Sequence, residues 1–405
     1  VPALLAEAEG TAELEVSVDG LLRDVSACII VKEGDRSILV RRPEEPHTPA
    51  STQKILTAAA ALSVLGPDFR YETKVVAEGP PVDGVVGTLW LVGSGDPDLA
   101  TPEYATFLAE QLLTRDRRVT PLAALADELV GAGVRTVAGG IRGDDSRYDR
   151  TRSVPTWKPN YVTDNEVGPL GALLVDSGFP GFRYPETRAD DPAAHAAAEL
   201  SGLLATRGVV LPAPPGAGAA PEGAVTLATV RSEPFSEVVA SMVRESNNTA
   251  AELITREVGV RAGAGGSTPA GVAAVTAELT RLGLPTTGLR LGDGSGLEAT
   301  NTVTCAVLVD ALARVKGLRP TLAVAGRSGT LVRRLVDTPL EGKLFAKTGT
   351  LKGVGGLTGF LDGRRTLSFA VLTQSTLSDA AGRILQDRIV AVLADYPGPQ
   401  PGTGD

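Results

Sequence analysis

Three strand-length runs follow one another near the C-terminal end of the chain: Lys343 to Thr350, Gly353 to Leu361 and Thr366 to Thr373. The Asp362-Gly363 pair between the last two is a strong hairpin signal, because both residues tolerate the positive φ that a tight two-residue turn demands. Runs this closely spaced must pair antiparallel, and the rest of the chain has to be fitted around the resulting sheet. An amphipathic helix is expected next, over Ser378 to Ala394, with Ile384, Leu385, Ile389, Val392 and Leu393 on its apolar side. Near the other end, Ala27 to Arg41 reads as a second hairpin about Glu33-Gly34-Asp35-Arg36. Thr52 to Leu65, rich in Ala, Leu and Ile and stopped by Gly66-Pro67, reads as a buried helix with Ser51 at its start.

Between these regions the texture changes to short β runs and helices. Strands are expected at Thr73 to Ala77, Gly87 to Val92, Arg135 to Ile141 and Ala172 to Asp176, and helices at Glu103 to Leu113, Pro121 to Gly131 and Pro192 to Arg207. The Pro/Gly/Ala segment Pro212 to Gly223 reads as a flexible connection. Helices are expected over Phe235 to Val243 and Thr249 to Val258, with Arg244-Glu245-Ser246-Asn247-Asn248 as the loop between them. The division that follows is one domain from 1–69 and 231–396, an inserted α/β domain over 70–230, and a disordered tail over 397–405. A chain of 405 residues has room for two or three cores.

The net charge of -9, without a Lys/Arg block to set against it, argues against nucleic acid as a partner. The longest apolar stretches, such as Ile55 to Leu65, fall short of the ~18–20 residues that span a bilayer. No charged-then-apolar leader precedes Val1, so either a signal has been removed or the protein is cytosolic. Cys28 and Cys305, in apolar contexts 277 positions apart, are expected to be unpaired buried thiols, with a bridge between them the less favoured alternative. Two cysteines and two histidines, all scattered, do not make a zinc site, and no metal or cofactor is expected. Gly93-Ser94-Gly95 and Gly263 to Gly266 lack the features of a phosphate or dinucleotide loop and read as turns. His47, ahead of Pro49 and off the helix, reads as a loop histidine.

Ser51-Thr52-Gln53-Lys54 places a hydroxyl and an amine three residues apart at a helix start, on one face. A serine is a poor nucleophile until a base takes its proton, and a partly desolvated lysine can be that base. Ser246-Asn247-Asn248 offers a hydroxyl for proton relay and an amide able to bind a carbonyl. Lys347-Thr348-Gly349-Thr350, on a strand, offers a lysine and hydroxyls to a carboxylate, beside a glycine that permits close backbone approach. Each motif alone is a commonplace of helix starts, polar turns and strand ends. Their order and their settings agree, and together they form the catalytic signature of serine β-lactamases and penicillin-binding proteins.

Beyond these motifs the chain resembles the class C low-molecular-mass penicillin-binding proteins, the D-Ala-D-Ala carboxypeptidase/endopeptidase family. Pro49-Ala50-Ser51, Gly93-Ser94-Gly95-Asp96-Pro97, Asp293-Gly294-Ser295-Gly296-Leu297, Gly329-Thr330-Leu331 and Ala346 to Leu351 carry that resemblance, in the family's order. It implies an α/β (α+β) penicillin-binding/serine β-lactamase-like transpeptidase fold, an antiparallel sheet flanked by helices with a large inserted domain. It also implies roles: Ser51 acylated, Lys54 the proton acceptor, Ser246 and Lys347 the relay to the leaving amine, and Asn248 an amide clamp. Backbone N–H groups of Ser51 and Thr350 would form the oxyanion hole, Thr348 and Thr350 would hold the substrate carboxylate, and Gly349 and Leu297 would line the site.

Trp157, Tyr161 and Asp164 in the insert are candidates for contact with the peptide side chain. Two departures stand out. Ala299 occupies a place where relatives often carry an arginine, and only 15 residues separate Asp176 from Pro192, where the family's third domain would sit. The implied partners are peptidoglycan stem peptides ending in D-Ala, β-lactams as inhibitors, and a peripheral association with the cell envelope, in an extracytoplasmic setting. A serine β-lactamase or esterase, or an idle wall-binding homologue, is the alternative.

Overall fold

The two ends of the chain build one sheet. A computed structural model describes residues 2–398, and these divide into two compact units; the tail expected over 397–405 lies, from residue 399 on, outside the described residues. The first unit takes in Val1–Ser63, Ala240–Ser246 and Val275–Asp405. Its six-stranded sheet runs in the order Ala323–Val324, Leu344–Leu351, Val354–Asp362, Thr366–Gln374, Ser26–Glu33, Arg36–Arg41. Every neighbouring pair is antiparallel, as the C-terminal runs dictated. Ser26 stands opposite Gln374 and Lys32 opposite Ser368, so the N-terminal hairpin extends the C-terminal meander.

Alternation along the strands sorts the two faces. Ala27, Ile29, Val31, Leu357, Phe369 and Val371 join one core, covered by Leu385, Ile389 and Leu393 of the helix Asp379–Asp395 and by Leu14, Val18 and Leu22 of the helix Pro2–Leu22. Each such side chain, wholly withdrawn from water, contributes about 1.5–3 kcal/mol, and Phe369→Ala would cost about 3–5. On the opposite face, Cys28 is bonded to Cys305, with the two Cα atoms 6.0 Å apart. This corrects the expectation of free thiols. Cys28 alternates away from the first core, and Cys305 opens the helix Cys305–Arg314, whose N-cap Thr304 accepts the Val307 N–H. Separation along the chain said nothing about this meeting, which is a product of the sheet's strand order.

The helix Lys54–Leu65 is buried on every side from Lys54 to Leu62 and stops at Gly66, whose φ of +80° only glycine adopts readily. Its start is a 3-10 turn, Ala50–Gln53.

The second unit comprises Val64–Val239 and Asn247–Ala274. A mixed five-stranded sheet, in the order Gly216–Ala217, Ile141–Asp144, Leu89–Val92, Glu72–Ala77, Val225–Arg231, packs on the helices Leu122–Gly131 and Pro192–Ala205. Asp191 caps the latter by accepting the N–H groups of Ala193 and Ala194, with Pro192 in the first turn.

Three sequence expectations give way here. Arg135 to Ile141 is two strands, Thr136–Val137 and Ile141–Asp144, broken at Gly140, whose φ is +75°. Ala172 to Asp176 is not a strand: it is irregular backbone leading into a 3-10 turn, with Asp176 and Ser177 both at positive φ. The apolar run there is buried under the Gly93 backbone instead, where a Cβ would lie 2.4 Å from the Ala172 carbonyl. Within Pro212 to Gly223, Gly216–Ala217 forms an edge strand parallel to Ile141–Asp144, and Arg142 donates to the Pro214 carbonyl. No helix among the described residues is long and apolar enough to cross a membrane.

Candidate active site

Ser51 is set by backbone that could hardly be placed otherwise. Ala50 before it has φ 47°, in the left-handed region that costs a residue with a Cβ roughly 1–2 kcal/mol. The Pro49 carbonyl accepts from the Thr52 N–H at 3.2 Å and the Thr52 hydroxyl at 2.7 Å, closing the turn. The strands Leu344–Leu351 and Val354–Asp362 press onto this turn through two glycines. A Cβ on Gly349 would stand 2.7 Å from the Pro49 carbonyl oxygen, and one on Gly356 2.7 Å from Thr52 Cγ2. The close approach for which Gly349 is needed is therefore made by the chain itself.

Lys54, fully buried, places Nζ 3.0 Å from Ser51 Oγ and 2.6 Å from the Ser295 carbonyl oxygen. The spacing read from sequence thus becomes direct hydroxyl–amine contact. Ser295 belongs to the loop after Asp293, which is tied to the same helix by Thr57 donating to the Gly294 carbonyl and Gln53 donating to Asp293.

Lys347, also fully buried, donates from Nζ to the Thr348 carbonyl at 2.8 Å. Burial pushes its amine well below the ordinary lysine range, and the nearby charge of Lys54 pushes it the same way. Like charges disfavour one another, so the buried Lys347 amine gives up its proton more readily than an exposed lysine does.

Ser246 follows the helix Phe235–Glu245 in the left-handed conformation, φ 63°, at the position where a helix usually ends in glycine. Gly329 packs against that helix end, a Cβ there being 2.2 Å from the Arg244 carbonyl oxygen, and the next residue, Thr330, accepts the Thr348 hydroxyl at 3.0 Å. The Gly329-Thr330-Leu331 turn therefore couples the Ser246 end of the helix to the strand of Lys347. Thr350, exposed, continues that strand, and Leu297 is buried behind the Ser295 loop with Ala299 exposed beyond it.

The remaining candidates belong to the second unit. Asn248 opens the helix Asn248–Arg261, capped by Asn247, and its amide donates to the Glu166 carbonyl at 2.7 Å. Tyr161 lies on the short helix Pro159–Thr163 and is buried, as is Trp157, while Asp164 is exposed and accepts from Asn160. Sequence reasoning named Gln53, Asp293, Ser295 and Thr330 only as parts of motifs. Their hydrogen bonds to the Ser51–Lys54 turn and to Thr348 depend on residues 18 to 241 positions away.

The family model for D-Ala-D-Ala carboxypeptidase 3 (S13) matches the chain over residues 13–186 and 181–396. These two stretches overlap at 181–186, inside the short connection between Asp176 and Pro192. A D-alanyl-D-alanine carboxypeptidase of Actinomadura sp. (strain R39) is 31% identical over 99% of this chain and 88% of its own length. That alignment runs over 494 positions against 405 residues here, so the relative carries inserted residues that this chain lacks. A carboxypeptidase of Mycobacterium tuberculosis is 34% identical over 84% of this chain and 73% of its own. Among solved structures, penicillin-binding protein 4 of Haemophilus influenzae, 22% identical, superposes with a TM-score of 0.75 over 94% of this chain and 99% of its own. Its complex with a β-lactam superposes at 0.71.

Proposed function

Because the chain belongs to the D-Ala-D-Ala carboxypeptidase 3 (S13) family, we propose that its reaction runs through an acyl-enzyme on Ser51. The protein is a serine-type D-Ala-D-Ala carboxypeptidase/endopeptidase, a hydrolase of the penicillin-binding fold. The observation that carries the assignment is the buried Lys54 amine 3.0 Å from Ser51 Oγ.

Ser51 Oγ attacks the carbonyl carbon of the penultimate D-Ala while its proton passes to Lys54. The carbonyl oxygen, now an oxyanion, is met by the backbone N–H groups of Ser51 and Thr350. Ser246 and Lys347 hand a proton to the departing amine, the C–N bond breaks, and D-Ala leaves. Water then attacks the ester and restores the serine. Thr348 and Thr350 hold the terminal carboxylate, with Gly349 keeping the strand seated. Asn248 takes the clamp role that the resemblance gives it, and Asp164, Trp157 and Tyr161 are the candidates for contact with the peptide side chain. The two-part chain 1–69 and 231–396 supplies the catalytic machinery, and 70–230 the insert.

The substrates are peptidoglycan stem peptides ending in D-Ala, and β-lactams take their place by presenting a strained amide to the same hydroxyl. Such substrates lie in the cell envelope, and a Cys28–Cys305 disulfide suits an oxidising, extracytoplasmic compartment. Intact mass after incubation with benzylpenicillin tests the assignment. One stable adduct is expected on the parent and none on Ser51→Ala. An unmodified parent sinks the reading, and rapid turnover of a chromogenic cephalosporin replaces it with a β-lactamase.

A further inference from the structure

We propose that Asp293 is a positioning residue for Lys54, acting through the single peptide plane that joins Ser295 to Gly296. The inference rests on the reading of Lys54 as the base for Ser51. The N–H of that peptide, on Gly296, donates to Asp293 Oδ1 at 2.9 Å, and its carbonyl, on Ser295, accepts from Lys54 Nζ at 2.6 Å. The bond is trans, so its N–H and C=O point in opposite directions, and a carboxylate holding one end aims the other.

The plane has little freedom to turn. Gly296 has φ +88°, and a Cβ there would lie 2.0 Å from the Ala50 carbonyl oxygen, so the peptide is wedged against the backbone that bears the nucleophile. The carboxylate is itself held: Oδ1 accepts from Asn301 Nδ2 at 2.8 Å and from Gln53 Nε2 at 3.1 Å, and Oδ2 from the Glu298 N–H at 2.7 Å.

The consequence is a matter of valence. A neutral amine has two N–H bonds and one lone pair. With one N–H committed to a fixed carbonyl, the lone pair can be presented to the Ser51 hydroxyl in place of rotating among alternatives. The carboxylate also polarises the peptide, strengthening its carbonyl as an acceptor in a chain of hydrogen bonds. A base oriented by a third group is the general logic of activated serines; here a backbone amide stands between the base and its carboxylate.

The test is Asp293→Asn, which preserves shape and removes the charge and one acceptor. Acylation by benzylpenicillin and kcat on a D-Ala-D-Ala peptide should both fall ~10- to 100-fold, with KM changed less than twofold, as expected when orientation of the reacting groups is lost. A merely structural role would move the melting temperature and KM with kcat. If Asp293→Asn does not fold, Asn301→Ala decides: a drop in kcat of about threefold or more at constant KM supports the proposal, and an unchanged kcat overturns it. A parent that forms no acyl adduct removes the Ser51 reading and this one together. A parent that acylates beside a folded Asp293→Asn protein acylating within threefold of it overturns this one alone.

Discussion

Lys347 in the first unit and Arg256 in the second are both completely buried, and their surroundings differ in kind. Arg256 spreads its guanidinium over Asp149 Oδ1 at 3.1 Å, the Thr151 carbonyl at 2.8 Å and the Thr268 hydroxyl at 3.2 Å. One residue on, Glu257 takes a two-pronged contact from Arg147, at 2.7 and 2.9 Å, and a hydrogen bond from Tyr148. These are countercharged, forked pairs whose protons do not move. Lys347 pairs with no carboxylate among the described residues; it has a carbonyl oxygen, and a second lysine whose charge works against its own. Arg256 is met by a countercharge, whereas the Lys347 amine has a carbonyl and a like charge, which is the arrangement the proposed proton relay needs.

The sharpest way to break this contrast is to remove the amines. Lys54→Met and Lys347→Met should each slow acylation by penicillin about a thousandfold, within the range that proton transfer contributes. Their melting temperatures should stay level or rise, because a buried amine is costly to desolvate. A large fall in stability would place the lysines with Arg256 as structural cations. Arg256→Met is the mirror test. It should cost roughly 1–3 kcal/mol in denaturant unfolding by leaving the Thr151 carbonyl and the Thr268 hydroxyl without their donor, while the protein that remains folded acylates at the parental rate.

Next in size is the disulfide, which holds the first unit without touching either lysine. Reduction, or Cys28→Ala with Cys305→Ala, should destabilise by about 2–4 kcal/mol and leave the acylation rate at 25 °C unchanged. The smallest effect is one of pH. The Lys347 amine binds its proton more weakly folded than unfolded, so the unfolded state takes up more protons between its lowered value and the ordinary lysine range, and stability rises with pH there. The slope can reach about 1.4 kcal/mol per pH unit, and it should be the difference between parent and Lys347→Met unfolding free energies across that window. Parallel curves would mean that the amine titrates normally.

What could be read from the residues was what depends on near neighbours. The hairpin at Asp362-Gly363, the amphipathic C-terminal helix and the Ser51–Lys54 contact each follow from spacings of a few positions. The helix Pro2–Leu22 escaped because its buried residues Leu14, Val18 and Leu22 form a stripe too narrow to stand out beside its Glu and Ala residues. Ala172 to Asp176 misled because a short apolar run says that a segment is buried but not how its backbone is paired. The disulfide and the Ser295 carbonyl at Lys54 join positions more than 200 apart, and no local pattern could announce them. Gly93 and Gly95 were expected in a turn and are not, and Gly93, like Gly296, Gly329 and Gly349, marks a place where one piece of backbone lies on another.

The strand that opens the first unit, Ser26–Glu33, has its partner at Thr366–Gln374, about 340 residues downstream. The nucleophile's own sheet therefore cannot close until residue 374 has been made, whereas the stretch 64–239 has its neighbours at hand much earlier. Until those strands are made, the turn that carries Ser51 has no sheet to rest on. Chains stalled short of residue 344 should take up no fluorescent penicillin, however long they wait.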